Sequence, residues 1–179
     1  MLGQQVSIAA ARRLAGRLAA LHGRPLPAGG HETLTHVFPD AATIAGLDPE
    51  TLPMPRSRAR ALVGLADALA SGAVSLDPGA DREEASARLL ALPGIGPWTA
   101  GYIRMRALSD PDVFLPGDVG VVRALRLVTG SPAVSAAVSP TVAERWRPWR
   151  SYATHHLWAA LESAPARPGV AVSELGMRR

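Results

Sequence analysis

The chain has 179 residues with 19 basic and 15 acidic side chains, and every one of the 19 is arginine. Without lysine or cysteine it can contain no Schiff-base lysine, no P-loop lysine, no disulfide, no catalytic cysteine and no iron–sulfur cluster. A hydrophobic fraction of 47% indicates a globular protein, and the length suits one domain, or one with a small appendage.

Hydrophobic periodicity is helical nearly throughout and predicts an all-α chain of about eight helices. In chain order these cover residues 2–21, 39–45, 57–71, 82–91, 98–108, 118–129, 140–146 and 148–162. Asp81 and Ser139 are the expected N-caps of two of them. We expect one domain over residues 1–162 and an irregular tail over 163–179.

The chain shows no apolar run near the roughly 20 residues that a membrane helix needs, and its N-terminus lacks the features of a signal peptide. We therefore expect a cytoplasmic protein with no membrane contact. A net charge of +4 carried by arginine is compatible with a nucleic-acid partner, because guanidinium groups bind phosphates in a bidentate manner.

The most specific local pattern is the turn at residues 92–96, inside a helical hairpin spanning 83–108. It consists of Leu92, Pro93, Gly94, Ile95 and Gly96. Two glycines two apart allow a sharp turn and leave the amides of the next helix uncovered, so that a phosphate can approach them. Ile95 should pack inward. The same residues would also serve an ordinary helical hairpin that binds nothing.

Four segments in order resemble the helix-hairpin-helix DNA glycosylase superfamily, and within it the 3-methyladenine DNA glycosylase II (AlkA-type) branch. They are residues 2–7 (LGQQVS), 92–100 (LPGIGPWTA), 113–118 (VFLPGD) and 145–153 (RWRPWRSYA). The resemblance implies the helix-hairpin-helix glycosylase fold, with its active site in an interhelical cleft. It also implies a monomer in the bacterial nucleoid that excises damaged bases from double-stranded DNA, and it extends the DNA-binding hairpin to Thr99. The AlkA-type proteins carry an N-terminal domain upstream of the first motif, and we expect this chain to lack it.

Asp118 follows a Pro-Gly turn and opens a helix, so that its simplest role is an N-cap. The resemblance makes it the catalytic carboxylate as well. A fixed anion can stabilise the oxocarbenium-like sugar that forms when a base departs, or orient the attacking water. Purines alkylated at N3 or N7 already carry positive charge and leave without a general acid.

The resemblance assigns three further roles. Trp98 and Tyr102, four apart on one helix face, and Trp158 would form the base pocket; core packing is the alternative for the first two. Gln5 would be the wedge that fills the gap left by a flipped base, and it would otherwise be an exposed residue of the first helical turn. Main-chain carbonyls of Leu90, Leu92 and Gly94 would hold a structural Na⁺ or K⁺.

No other cofactor is expected. Adjacent His155 and His156 point in different directions on a helix and do not make a zinc site. Family members that cleave the strand carry a lysine where this chain has Trp98, so the resemblance implies base hydrolysis without lyase activity. Two alternatives remain open: a glycosylase for deaminated or oxidised bases, and a non-catalytic or truncated hairpin module that only binds DNA.

Overall fold

The computed structural model describes residues 1–4, 6–27, 34–131 and 140–163. Within these ranges it contains eight α-helices, no strand beyond one isolated bridge, and one short 3₁₀ helix, Pro49–Thr51. The predicted all-α fold is therefore confirmed. The helices are α1 (Ile8–His22), α2 (Ala41–Ala45), α3 (Arg56–Ala70), α4 (Arg82–Leu90), α5 (Pro97–Ala107), α6 (Val119–Thr129), α7 (Pro140–Glu144) and α8 (Arg150–Ser163).

Most predicted helix ends lie within two residues of those observed, but the start of the first helix was predicted wrongly. Helix α1 begins at Ile8 and not at residue 2, because the Ser7 hydroxyl accepts a hydrogen bond from the Ala10 amide at 3.2 Å and caps the helix. Upstream, the Gln4 amide donates to the Met1 carbonyl at 3.1 Å and closes a separate turn.

The chain divides into two compact units, residues 1–115 and 116–179. The first contains α1 to α5 and the second contains α6 to α8. The predicted single domain ending at residue 162 stays a prediction. Most of the predicted tail, residues 164–179, lies outside the described residues, and Ser163 ends α8.

The core of the first unit consists of two hydrophobic clusters that share helix α3. One joins α1, α2 and α3, and the other joins α3, α4, the following turn and α5. Small residues line the buried face of α3, with Ala59, Ala61, Ala66 and Ala68 all buried. A narrow alanine face lets neighbouring backbones approach closely, and this places the turn of the hairpin directly against α3.

The second unit is built on the packing of α6 against α8. Val121, Val122 and Ala124 form the buried face of α6, while Ser151 and Thr154 are the buried residues of α8. The Thr154 hydroxyl donates to the Arg150 carbonyl at 2.9 Å, so this polar side chain is satisfied within its own helix. These contacts fix α8 beside the first turn of α6.

Candidate functional site

The hairpin predicted at residues 83–108 is formed by α4, a turn and α5. Asp81 caps α4, as predicted, by accepting hydrogen bonds from the amides of Glu83 and Glu84 at 2.9 and 2.8 Å. In the turn, the Ile95 amide donates to the Leu92 carbonyl at 3.2 Å. The Ile95 side chain is buried, which confirms its predicted inward packing.

The two glycines of the turn have different physical roles. Gly94 has a φ of +82°, a conformation that side chains rarely adopt, and a Cβ there would lie 2.6 Å from the Ala61 Cβ. Gly96 has a φ of −93°, and a Cβ added to it would have nothing within 4 Å. Gly94 therefore lets the turn pack on α3, whereas Gly96 keeps open the space at the start of α5.

Helix α5 begins without a side-chain cap. Gly96 is the N-cap residue and Pro97 the first helical residue, so that no hydroxyl or carboxylate occupies the first-turn amides. Gly96, Pro97 and the neighbouring Pro93 and Gly94 lie at the surface. The helix dipole and these amides present a positive end that suits an anion.

Gln4 reaches this turn from the N-terminal segment, a contact that sequence reasoning missed. Its Nε2 donates to the Thr99 hydroxyl at 2.8 Å and to the Gly94 carbonyl at 3.2 Å. The partners are 90 and 95 residues away along the chain, so no local pattern could have identified the pairing. Thr99 itself is buried in the first turn of α5.

Trp98 and Tyr102 lie on one face of α5, as their spacing predicted. Their rings stack with centroids 5.2 Å apart and planes inclined by 16°. Trp98 is 37% exposed and Tyr102 half-buried, so this pair is not simply part of the core. An exposed aromatic face of this kind can stack with a planar ligand.

In the second unit, Asp118 caps α6. The buried carboxylate accepts a hydrogen bond at Oδ1 from the Val121 amide at 2.7 Å and a second, at the same atom, from the Trp158 indole Nε1 at 3.0 Å. Both a helix N-terminus and an indole N–H therefore stabilise negative charge on this carboxylate and fix its orientation.

Gly120 makes this arrangement possible, and no sequence pattern had singled it out. A Cβ at Gly120 would lie 2.9 Å from both Cδ1 and Nε1 of Trp158 and 3.0 Å from Asp118 Oδ1. The indole thus occupies the space left by the missing side chain. The His155 ring also meets Trp158 edge-on, with centroids 5.4 Å apart.

The remaining predicted residues are placed as follows. Gln5, the predicted wedge, lies outside the described residues. Leu90 is the exposed last residue of α4. Of the carbonyls expected to bind a cation, that of Leu92 accepts from Ile95 N and that of Gly94 from Gln4 Nε2, each at 3.2 Å. A carbonyl has two lone pairs, so each retains capacity for a cation.

Arg104 and Arg150 form ion pairs within the chain. Arg104 binds Glu83 at 2.5 Å and also Asp110, and Arg150 lies 3.4 Å from Glu144. The hydrogen bond from Arg104 holds the pKa of Glu83 below its usual range. These pairs tie α5 to the start of α4, and α8 to α7.

Within the described residues, no helix is long and apolar enough to cross a membrane. No group of three or more His, Asp or Glu side chains in those ranges is arranged to hold a metal ion.

Comparison with known proteins finds relatives along most of the chain, although no family model matches it. It is 48% identical over 162 residues to the probable bifunctional transcriptional activator/DNA repair enzyme AlkA of Mycobacterium tuberculosis, covering 90% of this chain and 32% of that protein. It is 38% identical over 161 residues to DNA-3-methyladenine glycosylase 2 of Escherichia coli, covering 88% of this chain and 54% of that protein. The chain thus spans between a third and about half of the length of these relatives.

Solved structures share the fold. The 3-methyladenine DNA-glycosylase of Archaeoglobus fulgidus superimposes with a TM-score of 0.71 and 26% identity, over 88% of this chain and 54% of that one.

Proposed function

We propose that this chain, which belongs to the helix-hairpin-helix DNA glycosylase superfamily and is homologous to its AlkA-type members, removes alkylated purines such as 3-methyladenine from double-stranded DNA. The observation that carries the proposal is the Asp118 carboxylate, buried at the N-terminus of α6 and held by Val121 and Trp158. Because the relatives are longer than this chain, the activity of the isolated chain is part of the proposal.

Asp118 would act on the sugar. The bond between C1′ and the base nitrogen breaks, and its electron pair goes to the cationic base, which leaves neutral. Water adds to C1′ and loses one proton, so that the product is an abasic site. The fixed carboxylate stabilises the positive charge that develops on the sugar, or orients that water. Two hydrogen bonds at Oδ1 hold the anion in place before the reaction, so little reorganisation is needed.

The stacked Trp98 and Tyr102 rings would select the base. An electron-poor, cationic purine gains about 0.5–2 kcal/mol of cation–π attraction on an indole face compared with a neutral base. Trp158 would serve both as a pocket aromatic and as a hydrogen-bond donor to Asp118. Gln5 would fill the space left by the flipped base.

The hairpin would bind a DNA phosphate through the uncapped first turn of α5. The neutral carbonyls of Leu90, Leu92 and Gly94 are the hard oxygen donors that Na⁺ and K⁺ prefer, so the turn fits a structural cation. A cation bound there would add positive charge near the phosphate. No other cofactor is proposed, and the protein is proposed to act as a monomer.

The chain should hydrolyse the base without cleaving the strand, because a β-lyase reaction through a Schiff base needs an amine and the sequence has no lysine. Borohydride reduction during the reaction should trap no covalent adduct between the protein and DNA. A trapped adduct, detected as a band of reduced mobility on a denaturing gel, would contradict this part of the proposal, since only the terminal amine could then have reacted.

A panel of duplexes tests the function itself. We expect the fastest base release from methylated DNA and slower release from duplexes with deaminated or oxidised bases. Asp118→Asn should release the methylated base at least roughly 10²-fold more slowly than the wild type. Preference for a neutral damaged base would favour the second glycosylase class. DNA binding without any abasic product, even at high protein concentration, would favour a binding module.

A further inference from the structure

Gln4 links two segments that are remote in the sequence. Its single Nε2 nitrogen donates to the Gly94 carbonyl within the hairpin turn and to the Thr99 hydroxyl just after it. Gln4 thereby binds one residue before the start of α5 and one residue in its first turn. The next residue along the chain is Gln5, the proposed wedge.

The N-terminal segment that carries Gln4 is anchored in the first unit. Met1 packs against both hydrophobic clusters and Leu2 against the first, while the Gln4 amide donates to the Met1 carbonyl at 3.1 Å. The backbone that carries Gln4 is therefore held by the core of the first unit and by this turn.

The hairpin turn is also restrained by helix α3. Any Cβ at Gly94 would meet the Ala61 Cβ at 2.6 Å, so the turn lies directly on α3. Gln4 donates to the Gly94 carbonyl from the N-terminal segment. Gly94 is therefore held both by its packing on α3 and by this hydrogen bond. The nitrogen of the same peptide belongs to Ile95, whose amide donates to the Leu92 carbonyl and closes the turn that precedes α5.

The chemistry of the two contacts requires a primary amide. An amide nitrogen has two N–H donors and can serve both the Gly94 carbonyl and the Thr99 hydroxyl. A glutamate carboxylate at the same position cannot donate to the Gly94 carbonyl and would place a negative charge against it, although it could accept from the Thr99 hydroxyl. A leucine of similar size would make neither bond.

We infer that Gln4 is a positioning residue that holds the hairpin in its phosphate-binding conformation. The inference rests on the proposed function, since it assumes that the hairpin binds a phosphate of the DNA.

The test compares Gln4→Leu and Gln4→Glu with the wild-type chain by fluorescence anisotropy on an undamaged duplex. Both variants should bind about tenfold more weakly, as expected for loss of a hydrogen bond that orients the site. The Ile95 amide, which donates to Leu92 within the turn, should exchange its hydrogen faster, while the Val121 amide of α6 should be unaffected. Wild-type affinity together with unchanged Ile95 exchange would overturn the inference.

A second variant approaches the contact from its other end. Thr99→Val removes the hydroxyl that accepts from Gln4 while keeping a branched side chain. In a double-mutant cycle with Gln4→Leu, the two losses of affinity should be clearly less than additive, because they share one contact. Full additivity would refute the contact as the cause.

Ser7→Ala is the matched control. It removes the cap of α1 in the same N-terminal region and should lower the unfolding temperature, yet leave the affinity for undamaged DNA unchanged. If Gln4→Leu behaved in the same way as this control, its role would be structural only and the inference would fail.

If the wild-type chain released no alkylated base, the proposed activity would fall. Hydrogen exchange at Ile95 would still decide what Gln4 does.

Discussion

Replacing Asp118 separates the charge of this side chain from its structural role. Asp118→Asn keeps an oxygen at Oδ1, which can still accept from the Val121 amide and from the Trp158 indole. Asp118→Ala removes the acceptor of both hydrogen bonds. If the negative charge is what base release needs, the two variants should be equally inactive and differ only in stability.

The expected stabilities follow from these two hydrogen bonds. In Asp118→Asn the interaction of the charge with the helix dipole is lost, which costs about 0.3–1 kcal/mol. In Asp118→Ala the lost helix cap costs about 1 kcal/mol. Leaving the indole N–H without this acceptor costs about 1–3 kcal/mol more. The alanine variant should therefore unfold roughly 2–15 °C below the asparagine variant.

Release of 3-methyladenine from methylated DNA under single-turnover conditions measures the chemical step. We expect both variants to lose at least roughly 10²- to 10³-fold in rate, the usual effect of removing one electrostatic stabiliser of a transition state. Thermal unfolding followed by circular dichroism gives the stability difference. Retention of wild-type base release by Asp118→Asn would refute the reasoning, because its geometry is intact and only the charge is gone.

Glycine replacements test the geometry of both units. Gly94→Ala should destabilise the chain by about 1–3 kcal/mol, because it combines a positive φ with a methyl group 2.6 Å from Ala61 Cβ. Gly96→Ala is its control, because a Cβ there has nothing within 4 Å, and this variant should fold normally. It should nevertheless weaken DNA binding, since the new methyl group lies where a phosphate would approach. Unchanged affinity would argue against the hairpin as the phosphate site. Gly120→Ala should displace the Trp158 indole, cost about 1–3 kcal/mol and slow base release, and a wild-type rate would show that the indole contact is dispensable.

The sequence alone predicted the helices and the hairpin, and its motifs indicated the resemblance that the comparisons then supported. Apolar periodicity and capping residues act over one or two turns, so Asp81 and the Pro-Gly steps located helix ends without tertiary information. The failure at the first helix has the same local origin: Ser7 offers its own cap, and α1 starts at Ile8 in preference to residue 2.

The hydrogen-bond partners of Asp118 and Gln4 were decided by the tertiary structure. Trp158 donates to Asp118 although the two residues are 40 apart in the sequence. The contact also requires that Gly120 has no side chain. The Gln4 contacts with the hairpin span 90 residues or more.

One part of the proposed function depends on composition and not on the fold. The absence of lysine from these 179 residues is a property of the sequence alone, and it is the basis of the proposal that the strand is not cleaved through a Schiff base. How a carboxylate is oriented and which amide supports a turn depend on atoms brought together only when the helices pack. Those parts of the site were decided by the tertiary structure, because hydrogen bonds act over about 3 Å and not along the chain.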